Sequence, residues 1–288
     1  MNGCAFSFNG SNSWVILSPI EQSIKNKIES AGTPLRNWDI NIYRGVLTGY
    51  NDAFIIDKAK REEILANCKT EDEYRRTTEL IRPILRGRDI KRYGYDWAEL
   101  WLINTHNGVK GKYPPVDISD YPAVKQHLDL YWDKIKKRDD KGVTPYNLRN
   151  CAYMDDFNKP KIIYPNMTKY MPFVWDTKHY MTNQKCFIIT GVNTAFLTAF
   201  FNSSLFKYCF RDSFPELQGG TRELSKIFFE KIPVLEPTLH IESLFRELVD
   251  DIQQEYTIEK AKRIDQLIFD LYNLTEEEKK YIGYIEIR

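Results

Sequence analysis

Arg82, Arg86, Arg88, Lys91 and Arg92 fall within eleven residues of this chain, and Asp89 is the one acid among them. A guanidinium presents a planar fork of donors that matches a phosphate, or the acceptor edge of guanine. A local surplus of such groups suits a polyanion, although a solvated strand and turn could have the same composition. A second basic run, Lys134, Lys136, Lys137 and Arg138, stands at the end of a helical pattern, where cations also complement the helix dipole. Gly219-Gly220-Thr221-Arg222 is a third feature: paired glycines let backbone amides approach a ligand, a helix is expected to start near Thr221, and Arg222 adds a cation. Glycine pairs also simply make loops.

No catalytic constellation accompanies these groups. His106, His127, His179 and His240 are dispersed without metal-ligand spacing, and each reads as an ordinary surface or hydrogen-bonded histidine. Gly-x-Ser-x-Gly, a phosphate-binding P-loop and a dinucleotide-type glycine turn are all absent. The pairs Asp139-Asp140 and Asp155-Asp156 are common turn composition. Tyr113-Pro114-Pro115-Val116 has the two prolines of the Asn/Asp-Pro-Pro-Tyr/Phe motif of amino-methylating DNA enzymes. Tyr113 replaces the polar residue that would hold the amino group, and Val116 the ring that would stack on the base, so the match is accidental.

The elements that must position these groups follow from hydrophobic spacing and capping. Ser18-Pro19-Ile20-Glu21 starts a helix with Ile20, Ile24 and Ile28 on one face and Gly32 at its end. Gly45–Asp57 reads as two short strands reversing at Thr48-Gly49-Tyr50-Asn51. Helices are expected at 58–67 and 71–81, with strands over 84–90 and 99–103. One helix is expected over Ser119–Arg138, burying Val124, Leu128, Trp132 and Ile135. Strands recur at 161–165, 172–175 and 185–190, then two apolar helices over 193–210 meet at Asn202-Ser203. Beyond Pro237 the spacing of Ile241, Leu244, Phe245 and Leu248, then Ile264, Leu267, Ile268 and Leu271, predicts a helical hairpin. Thr275-Glu276-Glu277-Glu278 opens a last short helix. The fold class is α+β: a mixed α/β domain over 1–236 and a helical segment over 237–288, packing on it or on a partner domain.

A chain of 288 residues with 42% hydrophobic content can build a substantial core. Forty-one basic against forty acidic side chains give a net charge of +1, so polyanion affinity would have to come from charge distribution. Aromatic side chains, 14% of the chain, can fill a core or stack on bases. Cys4, Cys68, Cys151, Cys186 and Cys209 are scattered, which supports neither a disulfide framework nor a structural zinc site. No apolar run approaches bilayer length and no leader pattern opens the chain, so a cytoplasmic location and no membrane partner are expected.

In their order and spacing, several segments resemble the C-terminal specificity domain of TaqI-like adenine-specific DNA methyltransferases and of the type IIG restriction enzymes fused to them. They are Trp38-Asp39-Ile40, Arg44-Gly45-Val46-Leu47-Thr48-Gly49-Tyr50-Asn51-Asp52-Ala53-Phe54 and Arg82-Pro83-Ile84-Leu85-Arg86-Gly87-Arg88-Asp89-Ile90. Further on come Tyr121-Pro122 with His127-Leu128, Lys159-Pro160-Lys161-Ile162-Ile163, Phe201-Asn202-Ser203, Gly219-Gly220-Thr221-Arg222 and Ile232-Pro233-Val234. Ile264-Asp265 and Leu271-Tyr272-Asn273-Leu274-Thr275-Glu276-Glu277 look like the family's closing helices. Together they cover nearly the whole chain.

The resemblance implies target recognition without catalysis: a module that binds double-stranded DNA while an upstream methyltransferase domain, in the same polypeptide or a separate subunit, flips the adenine. S-adenosylmethionine, and magnesium where a nuclease is present, would belong to those catalytic domains and no cofactor to this chain. The chain begins where such a module would begin, as an excised or naturally truncated piece. Lys136, Lys137, Arg138 and Lys161 are then expected to fix register on phosphates, and Arg86, Arg88 and Arg222 to read base edges. Lys91, Arg92, Arg149, Lys169, Gly219, Gly220 and Thr221 complete the expected DNA-contacting set, with the loops at Asn147-Leu148-Arg149 and Thr168-Lys169-Tyr170. Two other readings stand beside it: an interaction subunit that docks a separate methyltransferase or nuclease through the apolar faces of its C-terminal hairpin, and a nuclease whose scattered acids bind magnesium.

Overall fold

In the computed structural model, which describes residues 17–285, Ser18 caps a first helix, α1, over Pro19–Ala31. The Glu21 carboxylate accepts from the Ser18 amide at 2.7 Å, Ile24 and Ile28 are buried, and Gly32 ends the helix. Cys4 lies outside the described residues; Cys68, Cys151, Cys186 and Cys209 are unpaired thiols. The other main helices are α2 (Lys58–Ala66), α3 (Glu71–Leu80), α4 (Pro122–Asp129), α5 (Thr194–Asn202), α6 (Ser204–Phe210), α7 (Leu239–Gln254), α8 (Ile258–Leu271) and α9 (Glu276–Ile282). Among the described residues none is long and apolar enough to cross a membrane.

Eight strands build two four-stranded sheets: β1 (Ile40–Arg44), β2 (Ile55–Asp57), β3 (Ile81–Leu85), β4 (Leu100–Ile103), β5 (Lys161–Pro165), β6 (Val174–Asp176), β7 (Met181–Thr182) and β8 (Cys186–Gly191). The first sheet runs β6-β5-β8-β1, antiparallel throughout; the second runs β7-β3-β4-β2, with β7 and β3 parallel. The fold is α+β, and the mixed sheets are followed by the C-terminal helices. Successive side chains of the first sheet point to opposite faces. Ile162, Tyr164 and Ile189 enter one apolar core while Ile163 and Ile188 enter another. Burial on both faces explains the unbroken apolar run in β5.

Two expectations are corrected. The stretch Gly45–Asp57 is not a pair of strands reversing on each other: β1 joins the first sheet, residues 51–54 form a helical turn, and β2 joins the second. The chain crosses between sheets at Gly45, where a Cβ would lie 2.0 Å from the Asn183 carbonyl oxygen. The single helix expected over 119–138 is broken at Leu130-Tyr131, into α4 and a helical turn at Trp132–Ile135. The break lets the Tyr131 ring pack on His127, with centroids 5.4 Å apart, and turns Trp132 outward against Tyr146 at 5.3 Å. Trp132 is therefore exposed, whereas Val124, Leu128 and Ile135 are buried as expected.

The helices beyond 236 complete the first core. Phe245, Val249, Ile264, Ile268 and Phe269 share it with Phe196 and Phe200 of α5, and Thr33-Pro34 pairs with Pro233-Val234. The apolar hairpin faces that an interaction subunit would offer to a partner are thus covered by the chain itself. Thr275 caps α9 in a box with Glu278, whose carboxylate also accepts from Ser23 Oγ at 2.7 Å and Lys27 Nζ at 2.6 Å, tying α9 to α1. Burial opposes its ionisation, but the bonds from Lys27, Ser23 and Thr275 outweigh it and hold the carboxyl down at about 2.

A carboxylate whose folded pKa lies below its unfolded value of 4.5 stabilises the fold above pH 4.5 and loses that contribution as pH falls toward 2. Glu278→Gln should therefore cost about 2 kcal/mol at pH 7. The gap to the parent should narrow between pH 4.5 and 2, as thermal midpoints measured across that range would show. A gap independent of pH would contradict this role.

Candidate nucleic-acid interface

The run at 82–92 divides between surface and interior. After β3 the chain turns at residues 86–88, and the buried Asp89 carboxylate grips Arg86, accepting from its amide (2.8 Å), Nε (3.1 Å) and Nη2 (2.8 Å). Arg88 is exposed and has no hydrogen-bond or ion-pair partner among the described residues. Lys91 is also exposed, 3.6 Å from Asp96. Arg82 donates to Asn158 Oδ1 and the His179 carbonyl, both at 3.0 Å. Arg92 is buried: it donates to the Asn202 carbonyl at 3.1 and 2.9 Å, contacts Tyr256 Oη and the Ile285 carbonyl at 3.3 Å, and lies 3.8 Å from Asp265. The expectation that Arg92 meets DNA gives way to a role inside the protein, because its fork is occupied by partners from three other segments.

Lys161 and Arg138 are corrected for the same reason. The Lys161 ammonium has no exposed surface and donates to Asp176 Oδ2 at 2.5 Å and the Phe157 carbonyl at 2.8 Å. It stands on a strand buried on both faces, out of a phosphate's reach. Arg138 stacks 4.4 Å from the Phe54 ring and donates to the carbonyls of Thr48, Asp140, Pro145 and Asn147, so it ties the 138–147 loop to the turn after β1. Burial lowers its pKa to about 10. Lys136 pairs with Asp133 at 2.5 Å, Lys137 is exposed, and Arg149 pairs with Asp140 at 2.9 Å.

No helix starts at Thr221. Gln218–Gly220 is a tight turn, with Gly219 and Gly220 at φ +75° and +77°, and it leads into the two-residue strand Arg222-Glu223. Arg222 is nearly buried and donates to Asp212 Oδ1 (2.9 Å) and the Phe214 carbonyl (3.2 Å), with Glu216 Oε2 at 2.8 Å. Its fork is already filled, which removes it from the groups poised to read a base.

The structure brings the exposed members together. Met167-Thr168 pairs with Arg222-Glu223, and the Asn166 amide donates to the Lys185 carbonyl at 2.8 Å. Arg86, Arg88, Asn166, Met167, Asn183 and Lys185 line a cleft of about 270 Å³. Val46 bridges to Asn183, Arg138 reaches Thr48, and the Val143 amide donates to Asn107 Oδ1, so the loops at 216–222, 166–170, 183–185, 44–49, 138–149 and 107–115 touch in series. Arg88, Lys169 and Lys185 are exposed there without a carboxylate partner among the described residues, and Arg44 beside them donates only to the Gln184 carbonyl. Lys185 and Arg44 were not among the expected contacts. The polar triplet Asn183-Gln184-Lys185 between two strands was the available signal, since it marks an exposed turn.

His127 is buried with Nε2 2.9 Å from the Ala53 carbonyl, and His106 Nδ1 accepts from the Gly108 amide at 3.1 Å; burial lowers the pKa of both. Tyr113 donates to Asp155 at 2.8 Å. Among the described residues no three His, Cys, Asp or Glu side chains gather as a metal ion would need.

Against known families, the TaqI-like C-terminal specificity domain matches residues 82–234. Among solved structures, the fold is similar to the type IIG restriction endonuclease BpuSI, with 14% identity, a TM-score of 0.50, and coverage of 88% of this chain and 32% of that one. It is also similar to the Type IIL restriction-modification enzyme MmeI in complex with DNA, with 11% identity, a TM-score of 0.57, and coverage of 87% and 35%. The chain spans about a third of the length of either structure.

Proposed function

This chain belongs to the family of TaqI-like C-terminal specificity domains, and we infer that it is a sequence-specific recognition module for double-stranded DNA in a restriction-modification enzyme. The observation that carries the reading is the row of exposed, unpartnered cations, Arg88, Lys169 and Lys185, on loops that abut one another. In a chain of net charge +1 such cations are an electrostatic footprint suited to phosphate. Lys137, exposed just before the 138–149 loop, and Arg149, exposed within it beside Asp140, add positive charge there. Lys91 adds a cation beside the turn, and Arg88 supplies a free fork able to reach guanine.

On this reading the module catalyses nothing itself. A methyltransferase domain, in the same polypeptide or in a separate subunit, supplies S-adenosylmethionine and the chemistry, and a nuclease domain, where present, supplies magnesium. The enzyme acts in the cytoplasm. The recognition module holds the duplex while the target base leaves the stack.

The chain is expected to bind duplex DNA weakly, with affinity falling about a hundredfold between 50 and 200 mM salt, because each phosphate contact releases about 0.9 counterion. Lys185→Ala should weaken all sequences about equally and reduce the salt slope by about one. Titration of labelled duplexes over that salt range tests both. Salt-insensitive binding, or none at low ionic strength, would count against DNA recognition.

A further inference from the structure

Residues 215–217, 221–223 and 167–169 make a small antiparallel ribbon. Glu216 and Thr168 both face Arg222, the Leu217 amide donates to the Thr221 carbonyl at 2.7 Å, and the Glu223 amide to the Pro215 carbonyl at 3.1 Å. Alternation along a strand sorts its side chains into two sets. Arg222 lies on the inner side, where Asp212, Glu216 and the Phe214 carbonyl hold it, and Leu224 on the same side is fully buried. Met167, Leu217, Thr221 and Glu223 fall on the other side, with Met167 48% and Leu217 38% exposed, and the exposed Lys169 follows in the turn after Thr168. At the tip, Gly219 and Gly220 take left-handed conformations, and a Cβ added to either would meet nothing within 4 Å, so the turn stands clear of the rest of the chain.

A ribbon of this kind fits the major groove of duplex DNA, whose base pairs present acceptors, amino donors and the thymine methyl. The outer side and the turn after Thr168 carry the complementary set: the Lys169 ammonium and Thr221 hydroxyl as donors, the Glu223 carboxylate as acceptor, and Met167 and Leu217 as apolar surface. Lys185, unpartnered among the described residues beside the ribbon's base, is placed for a flanking phosphate, with the free fork of Arg88 lining the same cleft. We propose that the outer side of this ribbon enters the major groove and reads base edges, and that Arg222 is a positioning residue that holds the ribbon from behind. This rests on the DNA-recognition reading above.

The test begins with selection of a preferred site from random duplexes by the chain, and then measures affinity for that site and for an unrelated duplex. Lys169→Ala and Leu217→Ser change exposed side chains, and Thr221→Val a half-buried one. Each should lower affinity for the selected site at least about fivefold, relax preference at one or two base pairs, and leave the unrelated duplex nearly unchanged apart from the loss of one charge with Lys169. Arg222→Lys keeps the charge but loses the fork; it should relax every ribbon position together with the salt slope unaltered. Uracil in place of thymine removes only the major-groove methyl and should weaken binding, whereas inosine in place of guanine removes only the minor-groove amino group and should not. A parent chain that binds no duplex overturns the DNA reading and the ribbon with it. A parent that selects a site which all three outer variants still select, or that is sensitive to inosine and indifferent to uracil, overturns the ribbon alone.

Discussion

Replacing Asp176 with alanine is expected to cost about 3–5 kcal/mol, because it leaves the Lys161 ammonium charged and without its partner between two sheet-covering cores. Asp176 also accepts from the Lys178 and Tyr180 amides, both at 2.9 Å, so those donors are orphaned too. Burial already pushes the Lys161 pKa down, with Asp176 pulling it back up and Arg82 pushing it lower. A lysine whose folded pKa lies below its unfolded value binds its proton more tightly when unfolded, so stability rises with pH through that window. Removing Asp176 widens the window, and the variant's deficit should shrink as pH climbs toward the unfolded lysine value of 10.5. The double variant Lys161→Met with Asp176→Leu should recover the part of the loss that comes from the unpaired ammonium, since both charges leave together, while the Lys178 and Tyr180 amides stay unpaired. Urea unfolding of the parent, single and double variants at pH 7 and 9 measures all of this. A single-variant cost below about 1 kcal/mol would mean that water or another group solvates the ammonium. β5 runs directly into residues 166–170, so on the proposed DNA-recognition function any sequence preference should weaken alongside stability.

Asp265→Ala should be of similar size, about 3–5 kcal/mol. Asp265 accepts from the Ser204 amide at 2.8 Å and Ser204 Oγ at 2.6 Å, at the start of α6, and stands 3.8 Å from Arg92. Lys207 lies buried nearby, its Nζ without a hydrogen-bond partner among the described residues; burial, with Arg92 adding to it, holds its pKa far below that of an ordinary lysine. Loss of the carboxylate would leave the buried Arg92 guanidinium without its counter-charge and the two Ser204 donors unpaired. Asp265→Asn keeps a shape that can still meet Ser204 and should cost markedly less. Thermal and urea unfolding distinguish the two; equal costs would assign the effect to charge alone. Arg92 closes the segment that begins with Arg82, so Asp265→Ala should also raise amide hydrogen exchange at residues 86–92 before global unfolding.

Much of the scaffold was legible in the sequence, because caps and periodicity act over three or four residues. Ser18-Pro19-Ile20-Glu21, the Asn202-Ser203 break and the Thr275 box each carry their own hydrogen-bonding partners, and each forms where it is expected. The ordered motifs also identified the family, since a set of short segments in fixed order survives where no single one is diagnostic. What the sequence alone could not separate was one cation from another. Arg88 and Arg92 are four positions apart and chemically identical, yet the first faces solvent and the second is taken by Asn202, 110 residues further along, and by Asp265 beyond it. Lys161 reads as a basic residue at the head of a strand, and only the arrival of Asp176 and cores on both faces makes it internal. The same holds for Gly45, whose crossing between sheets depends on Asn183. Local chemistry determined the elements and the family; burial is set by distant segments, so the tertiary structure alone decided which charges remain on the surface.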